Sequence, residues 1–387
     1  MRVKIRTKIS MYVLCLSSLV FIYGLKMIYL ISQSSIIMKI LDYIEWPFYV
    51  ILIGTIFWGK DYSRKKLYAL AVLGSVLLFV YYYTGYAILF KAFVLIVSAK
   101  DISYDQIVKN ICRTYCIILT LSLFLFFFGF SNAGLQRRGY WAYGFVTSNI
   151  CGQIIFIIGL LLWLDENINL FKRVIIVIVL SGGVYFSVNN RSVAILLLFV
   201  PAAEILMNKL NHEDKYKIIK FLIYCIPVLA ILISVITALL YPVSKFVQKL
   251  NIILTSRIYL NLLNMQQHGV HFFAKNVYFD NTRIIYNAVA DTYSSFNTID
   301  SSYMCLLIQM GIVSTGIYIV VYIFLCKRLF EEKYSRLLSI VVILGVYGLF
   351  ESSALEIYIN VPFIYLLAKG DKDRQVQMIN EQRRYRS

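Results

Sequence analysis

The chain has 387 residues, 60% of them hydrophobic and only 15% charged, with a mean hydropathy of +0.73. A soluble domain is nearer half apolar with about a quarter of its residues charged, so an ordinary soluble enzyme or scaffold is excluded. The net charge of +18 would suggest nucleic acid in a soluble protein, but here it sits in short runs between apolar segments, and retention of those loops in the cytoplasm accounts for it.

Apolar spans run at about 10–31, 41–58, 67–83, 84–98, 111–130, 148–164, 173–187, 192–207, 218–240, 302–326, 337–351 and 354–368. A bilayer core takes about 20 residues per helix, fewer where the membrane thins or the flanks are interfacial. The span at 84–98 is therefore short, and Lys91 interrupts it; the final pair is short as well. The leading "RVKIRTK" lacks a small-residue cleavage site and reads as the flank of a first anchor.

Of the 38 Lys and Arg residues, 27 fall into seven clusters, and every second apolar stretch is followed by one. That alternation predicts an all-α polytopic integral membrane protein of about 12 transmembrane helices, with both termini cytoplasmic. Residues 1–387 read as a single membrane domain ending in a short basic cytoplasmic tail, 369–387. The basic residues outside this pattern are few: Lys39, Arg137, Arg138 and Arg191 in short outer gaps, and Lys26 and Lys91 within spans. Five more lie in one long gap.

That gap, 241–300, falls outside as an extracytoplasmic loop of about 60 residues between the ninth and tenth spans. Val243, Val247, Leu250, Leu254 and Ile258 recur at helical spacing, with Lys245, Gln248, Lys249 and Asn251 on other faces. The pattern predicts an amphipathic helix in the outer headgroup layer. The rest mixes aromatic, hydroxyl, amide and charged residues, as a folded lid does.

The seven cysteines (15, 112, 116, 151, 225, 305, 326) lie in or beside apolar stretches and form no CxxC pair, so they read as packing residues. His268 and His271 form an HxxH pair, but Gly269 breaks the helix between them and no third ligand is well placed. No metal or other cofactor is expected. There is no P-loop, GxGxxG or GxSxG, so the chemistry is expected outside and without ATP.

Arg191 stands on the outer side at the start of a membrane helix, in "SVNNRSVAILLLF". A cation there faces the positive end of the helix dipole, and a bound anion offsets that repulsion. The alternative is a guanidinium reaching up to a lipid phosphate. Arg257, in "LTSRIYLNLLNMQQHG", ends the proposed interfacial helix on the same side. Two arginines converging there form a pyrophosphate clamp, because each grips oxygens bidentately. Asp300, ahead of the tenth span, is either a helix N-cap or the group that takes a hydroxyl proton. Asp291, Asp280 and His268 are the other candidates for that role. Arg137 and Arg138 form a second outer pair, beside Tyr140, Trp141 and Tyr143, which either stack on sugars or belong to an interfacial aromatic belt. Lys275 and Arg283 are weaker basic candidates.

Three segments together resemble the Wzy-type repeat-unit polymerases of capsule, exopolysaccharide and O-antigen assembly, distant relatives of the O-antigen ligases. They are "GYWAYGFVTSNICGQIIF", "SGGVYFSVNNRSVAILLLF" and "IDSSYMCLLIQMGIVSTGIYI", and the turn "ESSALEIYIN" near the end adds to the likeness. Two departures accompany it: Asp300-Ser301 stands where the ligases carry His-Asn, and "TSN", ending at Asn149, stands where many members carry His-Pro-Asn.

The resemblance implies a metal-independent glycosyltransferase in the bacterial cytoplasmic membrane. It would move a growing glycan from its undecaprenyl-pyrophosphate carrier onto a new lipid-linked repeat unit. Arg191, Arg257 and Asp300 would be catalytic, and Arg137, Arg138, Tyr140, Asn149, Arg283 and Tyr303 would contact substrate. The implied partners are the lipid-linked oligosaccharides, membrane lipids, a flippase and a chain-length regulator, with no nucleic acid. A transporter or flippase for the same lipid-linked sugars, or a ligase-like glycan transferase, are the alternatives.

Overall fold

In a chain this apolar, backbone N–H and C=O groups have few partners but one another, and coiling into helices satisfies them. The computed structural model describes residues 2–58, 62–131, 141–212, 216–277, 285–287, 292–294 and 299–370. Among these the only strands form one antiparallel pair, β1 (Ile285–Asn287) and β2 (Thr292–Ser294), with Tyr286 opposite Tyr293. Among the described residues six helices are long and apolar enough to cross a membrane, or seven if one bent pair counts as a single span. The chain divides into two compact units: Met1–Ala71, Lys91–Ile205 and Val361–Ser387 form the first, and Val72–Phe90 and Leu206–Asn360 the second.

The first unit holds α1 (Arg2–Lys26), α2 (Tyr29–Ser32), α3 (Ser35–Trp58), the start of α4 (Arg64–Thr84), the end of α5 (Ile88–Ser98), α6 (Tyr104–Phe127), α7 (Ser148–Leu164), α8 (Leu170–Gly183) and most of α9 (Arg191–His212). α1 packs on α3 and α6, α6 also on α7, and α7 on α8. Side-chain caps set three helix starts: Thr147 accepts from the Ile150 amide, Asn169 from Lys172 and Asn190 from Val193, at 3.2, 2.9 and 3.3 Å. Tyr12, Leu16, Tyr115, Phe156 and Trp163 are buried inside the unit. Val50, Phe57, Phe127, Phe186 and Phe199 are exposed, an apolar surface that lipid accommodates and water does not.

Both lysines that lie within spans are neutralised by α3. The Lys26 ammonium is 2.6 Å from both Asp42 and the buried Glu45, and Lys91 pairs with the other Glu45 oxygen. The final apolar stretch, 354–368, contains no α-helix. It is built of 3₁₀ turns, Ser352–Leu355 and Val361–Leu366, with Ile357, Tyr358, Ile359, Ile364 and Tyr365 buried. Asn360 explains part of this, because its side-chain amide donates back to the Ala354 carbonyl at 3.0 Å and closes the turn.

The second unit contains α10 (Lys217–Tyr224), α11 (Ile226–Leu240), α12 (Lys245–Ile253), α13 (Arg257–His268), α14 (Ser302–Cys305), α15 (Gly311–Glu331) and α16 (Ser335–Tyr347). The expected span at 218–240 is broken by 64° between α10 and α11. Pro227, in the first turn of α11, brings no N–H and its ring crowds the carbonyl four residues earlier. The membrane-length stretch Ser302–Glu331 is broken too, by a π turn at Leu306–Met310 and by Gly311 at φ +78°. The stretch that follows α13 satisfies the freed backbone groups: Ile312 N–H donates to His271 C=O at 2.9 Å, Val313 to Phe272 at 3.1 Å, and Lys275 N–H donates to Gln309 C=O at 2.9 Å.

The continuous amphipathic helix expected over 243–258 is corrected in two respects. Thr255 and Ser256 are both left-handed, at φ 53° and 68°, and they separate α12 from α13. The stripe of Val247, Leu250, Leu254 and Ile258 faces protein, packing with Ala238, Tyr241 and Leu262. The face that α12 leaves uncovered instead carries Phe246, Ile252 and Ile253 beside Lys245 and Lys249.

Candidate functional site

Arg257 is the first residue of α13, and its guanidinium lies between two carboxylates. Nη2 donates to Glu351 Oε1 at 2.8 Å, while Nε lies 3.6 Å from Asp300 Oδ2, too far for a hydrogen bond. That Nε is buried without a hydrogen-bond partner, so the arginine keeps donor capacity. The two acids come from opposite ends of the motif region: Asp300 precedes α14, and Glu351 follows α16. Ser302 joins them, its amide donating to Gly348 C=O at 2.8 Å and its hydroxyl to Glu351 C=O at 2.6 Å.

Asp300 is adjacent to the N-cap of α14, which is Ser301; the Ser301 hydroxyl donates to Gly348 C=O at 3.4 Å and caps no helix amide. The Asp300 carboxylate faces Arg257. Burial raises the Glu351 carboxyl from its ordinary 4.5 to about 7; Arg257 opposes the shift and Asp300 adds to it. A carboxyl poised near neutrality accepts and releases protons readily. His268, at the end of α13, is shifted below its ordinary value, first by burial and then by Lys275 and His271. His271 lies beyond the Gly269 break with its ring nitrogen 2.6 Å from the His268 carbonyl, so the two imidazoles do not share a helix face.

In the first unit, the α7 and α9 starts bring two of the sequence-selected residues together. Arg191 opens α9 and is exposed, its Nε donating to the Asn189 side chain at 3.3 Å. Asn189 is left-handed at φ 53°, which turns the chain into α9. Asn190 donates to the main-chain carbonyl of Asn149, also exposed, at 3.3 Å. Gly152 makes the approach possible, since a Cβ there would meet Asn190 at 2.8 Å. One turn into α7, Gln153 is buried and its side-chain nitrogen has no hydrogen-bond partner. No carboxylate among the described residues lies within salt-bridge distance of Arg191.

Tyr303, which the resemblance assigns to substrate, is 1% exposed and donates to the Gly345 carbonyl at 2.6 Å. Tyr303→Phe is expected to cost about 1 kcal/mol of stability. It should leave substrate KM unchanged, and a several-fold rise in KM would restore a binding role. Trp141 and Tyr143 pack edge-on against Phe126 at 5.4 and 5.5 Å. Arg137, Arg138, Tyr140, Arg283, Asp280 and Asp291 lie outside the described residues. All seven cysteines are free and five are buried.

Glu351 is the residue that sequence reasoning passed over. It was visible only as the first letter of "ESSALEIYIN", an acid in an apolar setting, with nothing local to connect it to an arginine 94 positions away.

An arginine held between two partly buried carboxylates thus sits on a largely helical protein whose apolar helices are compatible with a multi-pass membrane protein. Compared with protein-family models, curated proteins and solved structures, the chain matches none significantly.

Proposed function

We propose that this protein is a repeat-unit polymerase of bacterial surface polysaccharide, of the Wzy type its motifs resemble, working at the outer face of the cytoplasmic membrane. The observation that carries the reading is Arg257, held between Asp300 and Glu351 beside the N-terminus of α14. The substrates are oligosaccharides on undecaprenyl pyrophosphate, and the growing chain passes from its carrier to a hydroxyl of a new unit. As the glycosidic bond breaks, negative charge accumulates on the pyrophosphate. Arg257 stabilises it electrostatically, and an acid of the same cluster takes the acceptor proton. Arg191, a cation opposed by its own helix dipole and with no carboxylate among the described residues within salt-bridge distance, is a separate candidate for phosphate binding.

The proposed topology has both termini in the cytoplasm, 241–300 outside, and about twelve crossings. The last crossing would be made by 3₁₀ and irregular chain. About 15 residues at ~2 Å rise cover the ~30 Å of hydrocarbon. Such backbone is tolerated at membrane depth where protein surrounds it, as the burial of 354–368 allows. A flippase supplying substrate and a chain-length regulator are the expected partners.

The test is reconstitution of the purified full-length chain in liposomes with lipid-linked repeat units. A polymerase produces a ladder of longer glycans, and retains that activity in excess chelator. Arg191→Ala is expected to lower the rate at least ~100-fold with expression intact, and Arg191→Lys to recover only part of it. Full activity of Arg191→Ala would remove that residue from the mechanism. The transporter reading has an observation of its own, the Glu45 carboxylate shared between Lys26 and Lys91 within apolar helices. A transporter moves the same lipids across the liposome and lengthens none of them.

A further inference from the structure

We propose that Glu351 is the proton acceptor of the transfer, freed for that task when the donor's diphosphate takes its place on Arg257. The inference rests on the polymerase reading and adds a residue to it.

Arg257 cannot hold a diphosphate and both carboxylates equally. Its strongest present contact is Glu351, at 2.8 Å, and its Nε is unused. A diphosphate bears more charge than a carboxylate and offers more oxygens to a planar fork, so it outcompetes Glu351 for Nη2 while engaging Nε. Glu351 stays close by, because the Ser302 hydroxyl holds its main-chain carbonyl at 2.6 Å. Its side chain, 19% exposed, remains within reach of a bound hydroxyl.

The exchange also supplies the driving force. The groups facing Glu351 are Arg257 from α13, Asp300 ahead of α14 and Tyr347 from α16. Arg257 is the one that holds the Glu351 carboxyl down. Engaging that guanidinium with a diphosphate makes the carboxylate a stronger base as the donor binds. Asp300, more exposed at 34%, is a positioning residue whose charge raises Glu351 further.

In the step itself, the acceptor oxygen forms the new bond to the anomeric carbon. The bond from that carbon to the diphosphate oxygen breaks, and its electron pair leaves with the diphosphate on Arg257. The acceptor's proton passes to Glu351, which returns it to solvent when the diphosphate departs.

The experiment measures ladder formation by the purified full-length chain against pH, for the wild type, Glu351→Gln, Glu351→Asp and Asp300→Asn. The wild-type kcat/KM should rise with pH through about 7, where Glu351 titrates in the free protein, because the base must be ionised, and the rise in kcat should lie at higher pH because the bound diphosphate occupies Arg257. Glu351→Gln should lower kcat by ~10²–10⁴ and abolish that rising limb, with KM changed only a few-fold. Asp300→Asn should move the limb to lower pH, since it removes the like charge. If the Gln variant does not fold, Glu351→Asp keeps a carboxylate; its rate should fall while the limb remains, and loss of the limb overturns the proposal. Full kcat with an unchanged limb in Glu351→Gln also overturns it, as does an inactive Asp300→Asn beside an active Glu351→Gln. A wild-type chain that makes no ladder defeats the polymerase reading itself, a result distinct from these.

Discussion

Alanine at Arg257 is expected to reduce glycan lengthening by at least ~10²–10³-fold, the loss seen when one preorganised donor is taken from a developing oxyanion. The change acts twice. It removes the guanidinium that meets the leaving diphosphate, and it leaves Glu351 buried without the cation that now opposes its neutralisation. The second effect predicts that Glu351 becomes protonated well above neutral pH in this variant, which avoids an uncompensated buried charge. Lysine at this position restores the charge but not the fork, so it should recover part of the rate. The double variant Arg257→Ala/Glu351→Gln separates chemistry from folding: thermal unfolding in detergent should return toward the wild-type value while activity does not. A single Arg257→Ala variant that lengthens glycans at the normal rate would remove the site from the mechanism.

Gly311→Ala should be the most damaging single change to the fold. At φ +78° and ψ 171° the backbone occupies a region that is essentially glycine's alone, costing another residue about 1–3 kcal/mol. A Cβ would also stand 2.5 Å from the Phe273 carbonyl carbon, which is backbone and has no rotamer in which to retreat. Relieving that contact means lifting residues 271–275 off the broken helix, and with them three hydrogen bonds worth about 1 kcal/mol each. The total, roughly 4–6 kcal/mol, is comparable with the whole net stability of many domains. Thermal unfolding in detergent and recovered yield measure it. Gly316→Ala is the control, because nothing lies within 4 Å of a Cβ there and the same helix gains a better helix former. Equal stability of the two variants would show that the break at Gly311 is not held by this contact.

Several apolar helices could be read directly from the chain because hydrophobicity is additive and local. The segments expected at 148–164, 173–187 and 192–207 correspond to α7, the α8 stretch and α9 within a few residues. The Asn149 and Arg191 motifs could likewise be named from sequence, since each combines a polar residue with an apolar run. Their meeting through Asn190 could not, because it depends on Gly152 letting two helices approach. The misreadings share one cause. Periodicity over 243–258 reports an apolar stripe but not what covers it, and in the fold that stripe faces Ala238 and Tyr241. The burial of Tyr303, its hydroxyl on the Gly345 carbonyl, is likewise a long-range contact that the motif around it does not reveal.

By itself the sequence determined the class of the molecule: an apolar chain whose backbone must satisfy itself in helices and whose arginines are few enough to stand out. Which carboxylates surround Arg257 was decided by tertiary structure alone. Asp300 lies 43 positions from it and Glu351 94, distances over which no local propensity acts. Only the turn after α16, pinned by Ser302, brings the second acid into the desolvated position where its charge and its proton become useful.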